Sequence, residues 1–571
     1  MWILALLSST AWAQSGLDVT GRVSMRVHNF SYDESSQIKP DSIPDDQYSK
    51  TTAIPGLQQA LNLAIFGRTQ DLDMTLLADL SNNSWNRLEV RNLNRLSRLT
   101  FNLRFAQHEV ILGDFFESLG ETFLQSREIR GARYAFVGED LFGAGSFADF
   151  RMLGGIVQRA VSIGDNLINL YRQYETAGQY RRWLGGGILN AGQRGAFDFS
   201  IKYLWGKDQE SSIDSSINDP FSNQVLGGNL DFYFWDRNIR LFGEYLLSQK
   251  DTVALGRVKD KAYKGGFDFR YETFKLAVMY YHFGYNYFTI GYPFLENDRK
   301  GIEGQLTYAV PKVISFITKF EIYSNNLDHL VTMPTTDTKI FDLGATTVNP
   351  DWPELSVSVG LRKDKSDQIF DPDDNPLQTD KFTRKLEGRV GFTARDTRMS
   401  LSAIYLDLDD QSLVPSGTPL GTEQLIGSCN IYAALSPVSF ISGGAVFSRL
   451  TMTNGQKNDN VYLYESNRWD ILPGKLKLET TLSYALNDAA DGGTQDLLNN
   501  YWQLNGEISL EYFFTNEVSF KAIVGTDTRR FKYTDEQALE IIADPEYGPE
   551  YFNGNESYSG LIAGGELNWI F

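Results

Sequence analysis

Tyr558-Ser559-Gly560-Leu561-Ile562-Ala563-Gly564-Gly565-Glu566-Leu567-Asn568-Trp569-Ile570-Phe571 is the stretch on which the fold turns. Leu561, Ala563, Gly565, Leu567, Trp569 and Phe571 fall on one face at every second position. Glu566 and Asn568 fall on the other. Alternation of this kind belongs to a strand with one apolar and one polar face, because successive side chains of an extended chain point to opposite sides.

The same pattern recurs along the chain. Val19, Val23, Met25 and Val27 alternate with Thr20, Arg22, Ser24, Arg26 and His28. Leu99, Phe101, Leu103 and Phe105 alternate with Arg98, Thr100, Asn102 and Arg104. Leu386, Val390 and Phe392 alternate with Glu387, Arg389 and Thr393, and Trp502, Leu504, Ile508, Leu510 and Tyr512 with Gln503, Asn505, Glu507, Ser509 and Glu511. Many of these runs are longer than the ~5–6 residues usual for a soluble strand. They match the ~9–11 tilted residues that cross a bilayer. Full charges on one face and aliphatics on the other then read as a wet lumen and a lipid-facing exterior.

The connections sort into two kinds. Tight turns are expected at Arg68–Asp71, Ala106–His108, Gln193–Gly195, Asp236–Asn238, Tyr271–Thr273, Val310–Lys312, Arg395–Thr397, Leu435–Pro437, Leu472–Gly474 and Phe514–Asn516. Looser ones are expected at Gly138–Phe142 and Asn349–Pro353. Long polar stretches lie between them, such as Ser31–Gln59, Gln158–Arg182, Asp364–Thr383 and Asp527–Glu556. The alternation predicts an all-β, antiparallel up-and-down transmembrane barrel of about 26 strands, within 22–26, the short turns on one side and the long loops on the other. Trp183, Trp205, Trp235, Trp352, Trp469, Trp502, Trp569 and Trp85 fall at or near strand ends, where interfacial indoles belong.

The two ends add a resemblance. Met1–Ala13 reads MWILALLSSTAWA, apolar and ending in Ala11-Trp12-Ala13, the pattern of a secretory signal peptide with its cleavage site. The rest, 14–571, is expected to form a single barrel. The terminal strand resembles the closing strand of Gram-negative outer-membrane β-barrels, whose assembly signal Leu567, Trp569 and Phe571 supply. That resemblance implies export through the periplasm, insertion by the barrel-assembly machinery, and the outer-membrane bilayer as surroundings. Glu566 stands where that family usually has glycine, and Gly564 and Gly565 precede it.

Composition excludes several classes. With 37 Phe, 29 Tyr and 10 Trp the chain is no disordered polymer. A formal charge of −19 offers nothing to a nucleic-acid phosphate backbone. The single cysteine, Cys429, rules out a disulfide framework and a covalently held c-type haem within the chain. His28, His108, His282 and His329 have no metal-spaced partner, and no nucleophile or zinc motif is present. No enzymatic role and no cofactor is expected. Asp371-Pro372-Asp373-Asp374-Asn375 reads as a solvated acidic turn, with Ca²⁺ coordination as the lesser alternative.

One passage stands out. Gly113-Asp114-Phe115-Phe116 closes one strand and Ser126-Arg127-Glu128-Ile129-Arg130-Gly131-Ala132-Arg133 opens the next. It is similar to a passage in several large outer-membrane barrels and, more faintly, to an usher strand pair, whose plug and periplasmic domains have no counterpart here. Asp114, Glu117 and Glu121 facing Arg127, Arg130 and Arg133 predict a charge ladder in the lumen, structural before it is selective.

Size sharpens the functional expectation. About 26 strands spaced ~4.8 Å and tilted ~40° make a ring roughly 50 Å across with a bore of about 40 Å. An opening of that size needs inward loops, a flattened ring or an inserted protein. The reading is a porin-like channel for passive or loop-gated solute passage. The alternative is a sheath around a partner such as a multihaem cytochrome or a secreted protein, since the architecture resembles the porin component of porin–cytochrome conduits. An adhesin-like structural barrel is the third reading.

Overall fold

The computed structural model describes residues 18–33, 56–82, 96–140, 143, 145–160, 167–168, 173–174, 178–213, 219–254, 256–330, 332–349, 351–414, 421–490, 499–533, 537 and 557–571. The expected signal peptide Met1–Ala13, Trp85 and the greater part of the loops expected at Ser31–Gln59 and Asp527–Glu556 lie outside these residues.

Twenty-six strands join in a single antiparallel sheet, each paired with its neighbours in sequence. The sheet closes on itself because the first strand, Asp18–Asp33, pairs with the last, Tyr558–Ile570, from Arg22↔Ile570 to Asp33↔Ser559. Closure leaves no unpaired edge, and backbone groups that no water can reach are satisfied within the ring. Phe571 extends the seam by one residue, as its carbonyl accepts from Gly21 N at 2.8 Å and its amide donates to Gly21 O at 3.0 Å. A Cβ at Gly21 would stand 2.8 Å from the Ala64 carbonyl and 2.4 Å from the Phe571 ring, so a larger residue there would strain the seam.

The short connections follow Arg68, Phe105, Glu139, Gln193, Phe234, Tyr271, Val310, Thr347, Ala394, Ser436, Leu472 and Phe513, all on one rim. The expected turns therefore lie where the alternation put them, within a few residues. The turn after Glu139 runs on to Ser146 instead of ending at Phe142. The opposite rim is less uniform than expected. It carries long connections, two of them with small hairpins (Leu167–Ile168 with Gln173–Tyr174, and Ile369–Phe370 with Pro376–Leu377), but those after Thr252 and Met452 are short.

The outer face is apolar. Met25, Leu226, Tyr245, Val357, Leu386, Leu425, Ile508, Val524 and Leu567 all project from it, exposed. Near the short turns this belt ends in aromatic clusters. Phe105, His108, Tyr134, Phe136 and Phe150 form one, Trp235 with Phe269 and Tyr271 another, and Trp569 packs on Phe571 at 4.9 Å beside the seam. Rings at such a level suit a headgroup boundary. Charged side chains interrupt the belt in places. Glu465 sits on the outer face between Leu463 and Asn467, with Gly443 and Leu482 opposite on the flanking strands. Asn467 Nδ2 donates to its carboxylate.

Candidate functional site

The inner face is polar and carries acids and bases strand after strand. At the seam Glu566 accepts from Ser24 Oγ (2.9 Å) and Arg26 Nη2 (2.9 Å). Beyond it come Arg98–Asp79 (2.8 Å), Arg182–Asp208 (2.7 Å), Arg240–Asp231 (2.6 Å) and Lys521–Glu479 (2.6 Å). Interleaved opposite charges hold the wall together across strands and leave no large field of one sign.

The expected ladder between Asp114 and Arg133 is not one ladder. Arg133 joins Glu117 Oε2 at 2.8 Å and also pairs with Glu109, while Arg151 reaches Glu117 Oε1 at 3.2 Å. This cluster lies on the inner face. Asp114 pairs with Arg130 instead, and its carboxylate also accepts from Leu99 N at 2.9 Å. Asp114 and Glu117 are three residues apart, as are Arg130 and Arg133, so strand alternation sends the two pairs to opposite faces. Glu121 is exposed in the connection after Glu117. Arg127 lies opposite Glu117 in the register, but the buried Arg127 Nε has no partner among the described residues. The structure thus splits the six residues into an inner cluster, an outer pair and two that join neither.

Sequence reasoning missed the main inner feature. Two connections from the long-loop rim, 118–126 and 284–298, fold into the lumen and lock onto each other. Tyr287 Oη donates to Thr122 O (2.8 Å), Thr289 Oγ1 to Phe123 O (2.7 Å), and Gln125 N to Gly291 O (3.3 Å). The first loop is folded by amides of Phe123 and Leu124 donating to Gly120 O, and Gly120 itself has φ +139, a backbone conformation that favours glycine.

The wall is shaped to receive them. Leu184, Leu204, Val225, Leu246 and Ala262 occupy inner positions where alternation elsewhere puts polar groups. They pack with Phe115, Phe123, Leu124, Ile129, Tyr287 and Ile290 into one buried apolar cluster. Asn223, 1% exposed, bridges wall and loop: its Oδ1 accepts from Ile290 N at 2.9 Å and its Nδ2 donates to Phe288 O at 3.1 Å. Glu244, buried in the wall, accepts from Lys202 Nζ and Thr122 Oγ1, both at 2.6 Å. Burial, and then the nearby Glu244 carboxylate, push the Tyr287 hydroxyl above its ordinary range, so it stays a neutral donor. Each fully buried Leu, Ile or Phe contributes on the order of 1.5–3 kcal/mol, so this shelf is a fixed part of the wall.

Across the ring the wall is open. Lys385, Arg389 and Arg398 lie on the inner face and are largely exposed. The Asp371 loop holds its own backbone: Asp371 accepts from Asp373 N (2.9 Å), Asn375 N (2.8 Å) and Asn375 Nδ2 (3.1 Å). The Asp371 carboxylate thus faces backbone and side-chain donors of its own turn.

The chain is, by architecture, a closed antiparallel barrel with an apolar exterior and a charged interior. No family model and no curated protein matches it. Among solved structures it is similar to the siderophore receptor PirA from Pseudomonas aeruginosa at 10% identity, over 96% of this chain and 80% of that one, with a TM-score of 0.40. It is similar to the P pilus usher PapC translocation pore at 10% identity, over 96% and 99%, with a TM-score of 0.31. Wzi of Escherichia coli, an outer-membrane protein described as a carbohydrate-binding β-barrel, aligns at 10% identity over 64% and 84%, with a TM-score of 0.33.

Proposed function

We propose that this chain is an outer-membrane channel of the porin kind. Hydrophilic solutes pass along its open, charged wall and past the fixed shelf made by 118–126 and 284–298. The observation that carries this reading is the water-exposed inner face of mixed charge inside a ring whose exterior is apolar. The short-turn rim then faces the periplasm and the long-loop rim the outside, the usual asymmetry of such barrels. Because acids and bases interleave along the wall, the pore is expected to conduct with little preference between cations and anions. Purified barrel in a planar bilayer tests this. Large, stable conductance steps with a reversal potential near zero in a salt gradient are expected, and a bilayer that stays silent overturns the reading.

Among the described residues the shelf covers one side of the ring, and this favours a second reading, a sheath around an inserted protein such as a multihaem cytochrome or a secreted chain. Purification in mild detergent separates the two. A stoichiometric partner that suppresses conductance until it is removed supports the sheath.

A further inference from the structure

Above the apolar belt, on the outer face near the long-loop rim, the strands from Gly256–Tyr271 to Asp380–Ala394 present a row of bases. Lys261, His282, Lys300, Lys339, Lys363 and Arg384 each stand one outward position beyond an apolar residue of their own strand: Tyr263, Tyr280, Ile302, Phe341, Leu361 and Leu386. The strand Ile314–Asn325 alone puts a hydroxyl, Ser324, in the row. Registers fix the level. Tyr263 faces His282, His282 faces Lys300, Ile322 faces Lys339, and Lys339 faces Lys363.

Two features make this row unlike the rest of the molecule. Many inner-face charges sit in ion pairs of mixed sign, whereas no carboxylate among the described residues lies within ion-pair distance of Lys261, Lys300, Lys339 or Lys363. Arg384 has Asp407 at 3.6 Å. Like charges directly opposite each other on one face, as at Lys339 and Lys363, weaken a sheet unless an anion lies between them. In a chain of net charge −19, six bases stand side by side here and face away from the lumen; the acid beside them, Asp337, accepts from Ser324 Oγ.

We infer that this row binds the phosphate groups of lipid headgroups in the leaflet at the long-loop side. The row begins where the apolar belt ends, at the depth of headgroups. At a strand spacing of ~4.8 Å, seven strands span roughly 30 Å, so the row follows the membrane surface instead of converging on one point. A free anion would need a concave cage, whereas among the described residues the row runs along one face of the sheet. The inference rests on the membrane-spanning reading proposed above and adds an anionic, phosphorylated lipid as the preferred neighbour of this sector.

The test uses the full-length barrel in non-ionic detergent, with thermal unfolding and native mass spectrometry as readouts. The probes are a bisphosphorylated glucosamine-disaccharide lipid, the same lipid after enzymatic dephosphorylation, and inorganic phosphate. The phosphorylated lipid is expected to bind and raise the unfolding midpoint, and added salt to diminish the effect. In K339Q/K363Q and in K261Q/K300Q the shift is expected to fall by at least half, while K475Q on the opposite rim keeps it and K339R/K363R restores it. Equal protection by the dephosphorylated lipid or by inorganic phosphate overturns the inference, as does unchanged lipid retention in both double variants. Planar-bilayer insertion of the same preparations keeps the two claims apart. A barrel that inserts and conducts without phosphate preference loses only this inference, and one that never inserts loses the membrane reading.

Discussion

Glu465 is the residue whose position the rest of the exterior does not explain. Its strand neighbours on the outer face are Leu463 and Asn467, and Leu482 lies opposite. In the proposed membrane-spanning barrel a carboxyl group at that level faces hydrocarbon, and it has one amide donor from Asn467. A basic side chain at the middle of a lipid face lowers stability by ~2–4 kcal/mol, and an acidic one by less. Glu465→Leu is therefore expected to stabilise the isolated barrel by about 1 kcal/mol, read from denaturant titration in lipid vesicles. A loss of stability in that variant would show that the carboxyl group is held by a contact outside the chain. Asp371 makes the opposite case, an acid satisfied locally. The Asn375 amide, first among its donors, holds its carboxyl below the ordinary range. A depressed acid stabilises the form it is charged in, so the turn is fully ordered above the usual Asp value of ~3.9 and loosens as pH falls through the lowered one. Hydrogen exchange at the Asp373 and Asn375 amides, corrected for intrinsic rate, is expected to stay protected at neutral pH and to lose protection only in strong acid.

The inner shelf is held at the scale of elements. Asn223→Ala removes the acceptor for Ile290 N and one of the two donors to Phe288 O, Ser248 Oγ being the other, in a buried site. Leaving such a group unpaired costs about 1–3 kcal/mol. The expected outcome is faster exchange at Ile290 and new protease cleavage within 284–298, with strand protection unchanged. Cleavage confined to the parent pattern would show that the apolar cluster alone holds the loop. Much of this level was legible in the sequence. Period-two runs such as Leu99–Phe105 located the strands, and the short polar breaks located the turns. Two things were legible and passed over. Asp114 and Glu117, three apart, cannot share a face of a strand, so the split of the ladder follows from counting. The apolar inner positions Leu184, Leu204, Val225 and Leu246, matched by Leu119, Phe123, Leu124 and Ile290 in connections meant for water, signal two surfaces that bury each other. Which loop meets which wall was not legible, because it depends on partners such as Thr122 and Glu244, far apart in sequence and joined only by closure.

The whole molecule depends on its seam. Removing residues 569–571 deletes the Trp569–Phe571 stack and the Phe571 bonds to Gly21, while most of the ladder to Asp18–Asp33 remains. The shortened chain is expected to give a closed barrel when refolded slowly in detergent but a much lower yield in cells, where the terminal aromatics would engage the assembly machinery. Equal yields in both settings would remove that role from Trp569 and Phe571. Heat-modifiable migration on gels measures both.

The seam also dictates an order of events. Arg22 bonds a partner 546 positions away, so the earliest strand made waits for the latest. On the proposed outer-membrane reading, ribosomal synthesis and passage across the inner membrane must both be finished before the cylinder can exist. Until then the chain travels with two open margins, each a template for β-addition. Its safety in transit is therefore a matter of timing and of escorts, and a slower arrival of the C-terminal hairpin should show as aggregation upstream long before any defect appears in the finished barrel.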